Sequence, residues 1–383
     1  MPDATHARST AVVVGGGPAG LAAASELRRA GVPAPVLEQG ATIGHAWRNR
    51  YDRLRLNSSR ITSRLNGFPY EPGANLFPSR DEFVAYLERF ATHRGVAVRT
   101  GVRVEQIERR DGGWTLATSA GELVAQHVIV ATGYACVPSI PRWRGRDRFE
   151  PVLLHSADYR NPLALRGRDV LVAGAGSSGM EIAHDLVASG ARRVRLAVRT
   201  PPNILLRSAG GVPGDLAAVA SLKLPTRLAD VQMRALARLM IGDLRDFGLP
   251  APDEGAFARL RRLGVAPAIV DRDVIAAIKA RRIEIVPGVE SLDATGVRLA
   301  GGERLEPDAV IAATGYRCGL EAMVGPLGVL GPRGVPRVAA GREAAPGLRF
   351  VGFTPLPGQI RLFGLEARRA AAAVSREVAA HRR

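Results

Sequence analysis

The stretch from residue 11 to residue 38 constrains the fold more than any other part of this 383-residue chain. Residues 11–14, AVVV, are a short apolar run of branched character and read as a buried parallel strand. Gly15-Gly16-Gly17-Pro18-Ala19-Gly20 follows at once as a G-x-G-x-x-G turn. A helical pattern then runs over 21–30 until Gly31 stops it. Pro18 suits the first helical turn, which has no N–H partner to lose. A second strand over 34–37 delivers Glu38, 23 residues beyond Gly15. A dinucleotide accounts for each part. Glycines let the backbone approach a pyrophosphate, the helix start offers free N–H groups, and the acid accepts ribose hydroxyls.

The same construction recurs. Residues 170–173 form a strand, and Gly174-Ala175-Gly176-Ser177-Ser178-Gly179 opens a helix to Ser189, ended by Gly190. The next strand, over 194–198, delivers Arg199 where the first copy has Glu38. A carboxylate repels a 2′-phosphate, whereas an arginine forks onto one. The first turn is therefore expected to hold FAD and the second NADPH. A further echo supports the duplication: VIVATGYAC over 128–136 returns as VIAATGYRC over 310–318. Short alternating runs precede each copy, at 102–108, 114–118 and 122–124, then at 283–286 and 296–299. The expected fold class is α/β: two Rossmann-like dinucleotide-binding domains, each a parallel sheet with a small antiparallel meander, plus a helical segment.

Composition narrows the partners. The two cysteines, Cys136 and Cys318, stand 182 positions apart, which speaks against a disulfide scaffold, a cysteine metal site and a CxxC redox pair. The net charge of +17 comes almost wholly from arginine, since Lys223 and Lys279 are the only lysines. Those arginines are scattered and lack aromatic interleaving, so nucleic acid is not an expected partner. No apolar run is long enough to span a bilayer. A cytoplasmic location is expected. Glu181 and His184 make one E-x-x-H step, short of a di-iron set, and no metal is expected.

Residues 348–352 read as a last strand, followed by Phe353, a Pro- and Gly-rich loop, and a helix from about Gln359. That helix start could face the flavin edge where charge gathers on reduction. The order implies a discontinuous FAD domain, residues 1–150 with 295–383, and an NADPH domain inserted at 151–294. Within the latter, the stretch 201–281 carries Leu228, Val231, Ala235, Leu236 and Leu239 at helical spacing. It suits a packed helical layer, a substrate-access lid or a membrane-surface face.

Over nearly its whole length the chain resembles class B flavin-dependent monooxygenases, particularly the YUCCA-type enzymes and their bacterial relatives. The carriers are the two glycine turns, WRNRYDRLRLNSS from Trp47, FPSRDEFVAYLERFA from Phe77, GSSGMEIAHDL from Gly176 and AVRTPPNILLR from Ala197. VPGVES from Val286, both ATGY copies and VGFTPLPG from Val351 complete them. The family fingerprint F-x-G-x-x-x-H-x-x-x-Y falls on Phe149, Pro151, His155 and Tyr159. Pro151 replaces its glycine, and Tyr159 stands where Baeyer–Villiger relatives carry Trp. The departure tilts the expectation toward heteroatom or YUCCA-like decarboxylative oxygenation.

The resemblance implies that Gly15, Gly17, Pro18, Ala19, Gly20, Glu38, Gln39 and Trp47 line FAD. It places Val104 at the adenine end, Thr132 and Gly133 by the pyrophosphate, and Gly352, Phe353 and Gln359 by the flavin. Gly174, Gly176, Ser177, Ser178, Gly179, Arg199 and Thr200 are expected to hold NADPH, with His155 aligning the domains and Arg207 serving NADPH or a substrate carboxylate. Asn57 and Tyr159 are the expected catalytic residues; Asn57 equally suits a loop cap. The implied activity is NADPH- and O₂-dependent insertion of one oxygen atom into a small organic substrate, through an oxygen adduct at flavin C4a. The alternatives are a flavin reductase or oxidase serving another acceptor, and a non-catalytic flavin redox sensor.

Overall fold

Each glycine turn joins the middle strand of a parallel sheet to a helix, and the two sheets are separate. A computed structural model describes residues 7–110 and 112–381 of the chain. It divides into two units: one gathers the residues up to Asn49, Ser59–Val137 and the chain from Tyr316 onward, and the other joins Arg50–Ser58 to Pro138–Gly315. Residues 1–6, 111 and 382–383, which the domain expectations include, lie outside the described residues.

In the first unit, Ala7–Val14 runs parallel to Val36–Glu38 on one side and Gly121–Val130 on the other. Val98–Thr100 extends the sheet beyond Val36–Glu38, and Leu348–Phe350 extends it beyond Gly121–Val130. The antiparallel meander Val104–Arg110 and Gly113–Thr118 folds back on Gly121–Val130. Val12, Val13, Val128 and Ile129 are wholly buried, which explains why these strands read as continuous apolar runs instead of alternating ones. The helices Pro18–Arg29 and Gln359–His381 pack together over this unit. Helix Arg80–Arg94 starts with a capping box between Ser79 and Glu82.

In the second unit five parallel strands stand in the order Ile283–Pro287, Arg193–Val198, Asp169–Ala173, Ala309–Ala312, Val152–His155. A three-stranded antiparallel meander, Val289–Leu292, Val297–Leu299 and Arg304–Leu305, accompanies them. The expected domain boundaries at 150 and 294 shift outward to 138 and 315. The reason is pairing: Ala309–Ala312 lies between Asp169–Ala173 and Val152–His155, so the second ATGY belongs to its own glycine turn. Tyr51 is buried in the second unit's core, which draws Arg50–Ser58 with it.

The stretch 201–281 forms helices Gly214–Ser221, Thr226–Ile241, Ala256–Leu263 and Arg272–Lys279 around the parallel pair Ile204–Leu206 and Ala268–Val270. Of the apolar stripe on the second helix, only Leu236 is partly covered. Ala229, Asp230, Met233 and Ile241 are buried, whereas Leu228, Val231, Ala235 and Leu239 are exposed. Asp230 sits inside because its carboxylate accepts the N–H groups of Phe257 (2.7 Å) and Ala258 (3.2 Å) at the start of the next helix. Among the described residues, no helix is long and apolar enough to cross a membrane.

Candidate nucleotide-binding sites

The two turns obey one geometric plan. Gly15 and Gly174 adopt left-handed φ values of +110° and +116°, and a Cβ on either would strike the carbonyl of Ala131 or Ala313. Gly20 and Gly179 are tighter still: an added Cβ would lie 1.8 Å from the carbonyl oxygen of Gly15 or Gly174. These glycines therefore let helix and strand touch. Gly17 and Gly176, the middle glycines, are different. A Cβ there would meet nothing within 4 Å, and each is an N-cap without a side-chain hydrogen bond. The helix starts keep N–H groups facing open space, as anion binding demands.

Around the first turn the polar groups are arranged for a ligand. Glu38 is buried, and its carboxylate accepts the N–H of Gly16 and of Gly40, each at 2.7 Å, which fixes its direction. Pro18, Ala19 and Gly20 are buried, while Gln39 is exposed. The hydroxyls of Thr132 and Thr42 are buried without a hydrogen-bond partner. A buried hydroxyl left unpaired costs about 1–3 kcal/mol, so both point to a group that completes them. Thr42 has no sequence pattern that would reveal it; it is placed by the Gly44 N–H, which donates to Gly16 at 3.2 Å.

Other expected contacts stand in the same unit. Val104 is buried on the meander, and Val102 just before it donates to the Glu38 carbonyl at 2.9 Å. Trp47 meets Phe83 edge-on with ring centroids 4.8 Å apart. Gly133 has φ +84°, and Tyr134 after it donates to the Gln359 side chain at 2.8 Å. Gly352 has φ +89°, a Cβ there would press on Ala19, and its N–H donates to buried Glu366 at 2.7 Å. Burial raises the Glu366 carboxyl above its ordinary range. Phe353 is buried beside Phe350.

In the second unit Arg199 and Thr200 are exposed just past the strand Arg193–Val198. Arg195, two residues earlier, is buried and paired with Asp169 at 2.6 Å. Ser177 accepts the Ile269 N–H at 2.8 Å, while Ser178 is half-buried on the first helical turn. Asn57 is exposed on the Arg50–Ser58 segment.

Three expected site residues belong instead to the packing of this unit. Tyr159 is buried in the hydrophobic core, and its hydroxyl donates to Asp185 at 2.7 Å. Burial, then the Asp185 carboxylate, raise its pKa above the ordinary phenol range. His155 accepts the Ala157 N–H on Nδ1 at 3.0 Å, which leaves Nε2–H to donate to the Gly315 carbonyl at 3.0 Å. It staples the strand Val152–His155 to the second ATGY turn. Arg207 is buried between Glu181 and Asp271, and Tyr51 donates to the same Glu181 at 2.5 Å. The two carboxylates engage the terminal nitrogens of its guanidinium, while its buried Nε has no hydrogen-bond partner. Next to Leu206 lies an apolar cleft of about 30 Å³, lined by Leu206, Met233, Leu236 and Met240.

The cysteines show that distance along the chain is not distance in space. Cys136 donates its N–H to the Arg317 carbonyl, so Cys136 and Cys318 flank the paired strands Val137–Pro138 and Tyr316–Arg317, with no disulfide between them. Cys136 is exposed, with its thiol donating to the Thr132 carbonyl at 2.9 Å. Cys318 is buried, and burial pushes its thiol up to about 11.

Residues 12–204 match the family described as pyridine nucleotide-disulphide oxidoreductase. The indole-3-pyruvate monooxygenase YUCCA1 of Oryza sativa subsp. japonica is 36% identical over 355 residues, 90% of this chain and 86% of that protein. The chain belongs to the YUCCA-type flavin monooxygenases. A flavin-containing monooxygenase from Stenotrophomonas maltophilia superposes on this family member with a TM-score of 0.74 at 25% identity, covering 98% of this chain and all of that one. The enzyme OTEMO, solved in complex with FAD and NADP, shares the fold at a TM-score of 0.74 and 18% identity, covering 98% of this chain and 84% of that one. This YUCCA-type chain is thus an enzyme, a FAD-dependent monooxygenase that uses a flavin and NADP(H). The unpaired hydroxyls and open glycine N-caps described above fit such nucleotides.

Proposed function

We propose that this enzyme inserts one atom of O₂ into a small apolar or aromatic acid, with FAD on the first turn and NADPH on the second. The observation that carries the assignment is the exchange of one residue between two turns of the same backbone plan: buried, oriented Glu38 after the first and exposed Arg199 after the second. Bound FAD would supply oxygen activation after reduction by NADPH. The protein's part is to hold and align. Gly17, Thr42, Thr132 and Glu38 bind the flavin nucleotide; Gly133 and the Gly352–Phe353 turn let backbone pass close to it. Gly176, Ser178, Arg199 and Thr200 bind NADPH, and Asn57 hydrogen-bonds the flavin or NADP⁺. A cytoplasmic supply of NADPH suits this reading.

Decarboxylative oxygenation of an indole-type 2-oxo acid is the first substrate class to try, because the relatives' names and the coverage support it. The deciding experiment is anaerobic reduction of the purified, flavin-loaded protein by NADPH, then mixing with ¹⁸O₂ and indole-3-pyruvate. Labelled carboxylic acid and released CO₂ are the expected products. Labelled product from other acids only would move the substrate class. Hydrogen peroxide with every acid and no labelled product would defeat the proposal.

A further inference from the structure

We propose that the helix Thr226–Ile241 lies on the surface of an anionic phospholipid membrane; this goes beyond the oxygenation chemistry and does not rest on it. The helix is packed on one side only. On the other, Leu228, Val231 and Leu239 are 58%, 64% and 81% exposed, with Ala235 exposed between them. At 100° per residue these four fall within about 80° of arc, one continuous aliphatic stripe. Leu224, just before the helix, is also exposed.

The charges settle what covers the stripe. Arg227, Arg234 and Arg238 are exposed, and the same arithmetic sets them in a row along one edge of it. Exposed Lys223 precedes the helix. The helix's one acid, Asp230, is buried and bound to the N–H groups of Phe257 and Ala258. The nearby Asp243 is paired with Arg245. The exposed face is therefore aliphatic and cationic without an offsetting carboxylate.

A second copy would bring the same cations onto that face with no acid to meet them, in a chain already at +17. Nucleic acid would meet the arginines but leave the leucines in water. A bilayer with anionic headgroups satisfies both: the aliphatic stripe enters the acyl boundary while the arginine stems reach the phosphates. The helix would lie in the plane of the surface, for nothing in it is long enough to span.

The test is sedimentation of the full chain with vesicles of phosphatidylcholine alone and vesicles rich in phosphatidylglycerol, at low and high salt. Binding to the anionic vesicles is expected to be tighter by about tenfold or more and to weaken with salt. Leu228→Ser/Val231→Ser/Leu239→Ser should lose about tenfold in vesicle affinity while melting temperature and NADPH oxidation stay unchanged. Arg227→Gln/Arg234→Gln/Arg238→Gln should erase the preference for anionic lipid. Wild type that ignores both vesicles overturns the proposal, as does a serine variant that binds as tightly as wild type. Conversion of a dimer to a monomer by the serine variant, without vesicle binding, would assign the face to a second copy. Retention of duplex DNA in preference to vesicles would assign the arginines to nucleic acid.

Discussion

The two ATGY threonines occupy equivalent places after equivalent strands, yet their hydroxyls differ. Thr132 is buried with no partner, whereas Thr314 donates to the Ser139 carbonyl at 2.6 Å. The turns around them repeat the contrast. Thr42 leaves a second hydroxyl unpaired near the first turn, while at the second Ser177 accepts the Ile269 N–H. One module thus leaves buried hydroxyls without a protein partner, and the other closes comparable groups on its own backbone. Under the proposed assignment the first turn would keep its nucleotide and the second would exchange it. That is the division of labour a resident flavin and a consumed nicotinamide require.

The largest expected effect tests whether the second module stands without help from a cofactor. Arg207→Ala leaves Glu181 and Asp271 without their cation and should lower stability by about 3–5 kcal/mol in urea unfolding. Flavin content per folded molecule should stay unchanged; loss of flavin at equal stability would return Arg207 to the nucleotide sites. Next comes Arg199→Ala, which should weaken NADPH by about 10- to 150-fold, or roughly 1.5–3 kcal/mol, and NADH far less. Equal losses would make Arg199 structural.

The threonines permit a sharper comparison at smaller energy. Thr132→Val should leave the flavin-free protein as stable as wild type or slightly more so, and weaken FAD by about 0.5–1.5 kcal/mol. Thr314→Val should do the reverse, costing a similar amount of stability with FAD affinity unmoved. The opposite pattern would break the distinction between the modules. The smallest effect is in acid. His155 and His184 in the second unit and His127 in the first are each depressed, chiefly by burial. The folded state favours their neutral rings, so the unfolded chain binds more protons below about pH 6.5, and stability falls as pH drops through that value. His155→Gln should flatten the slope measured by thermal melts between neutral and mildly acidic pH.

What the sequence reveals and what it conceals divide along local and distant physics. The turn glycines are legible because each answers to backbone a few residues away or to the strand beside it. Glu38 and Arg199 are legible because a strand of fixed length delivers them. Tyr159 and Arg207 mislead because their partners, Asp185, Glu181 and Asp271, lie 26, 26 and 64 residues away. A polar residue next to a motif looks functional until its partner is known. Helix Thr226–Ile241 adds another limit: apolar spacing shows that a helix has faces, not which one turns inward. Buried Asp230 decided that, through a helix start that spacing does not disclose.

The strand Leu348–Phe350, which pairs with Gly121–Val130, has a consequence for how the chain is made. On a ribosome, Arg50–Ser58 and Pro138–Gly315 are all translated before that strand exists. The second unit has every strand of its sheet while the first still lacks Glu343–Ala345, Leu348–Phe350 and the helix Gln359–His381. The apolar flank of Gly121–Val130 must therefore wait, in the cell, for the last part of the message. Chains stalled before residue 348 would carry one finished module and one open edge, a natural substrate for chaperones and proteases.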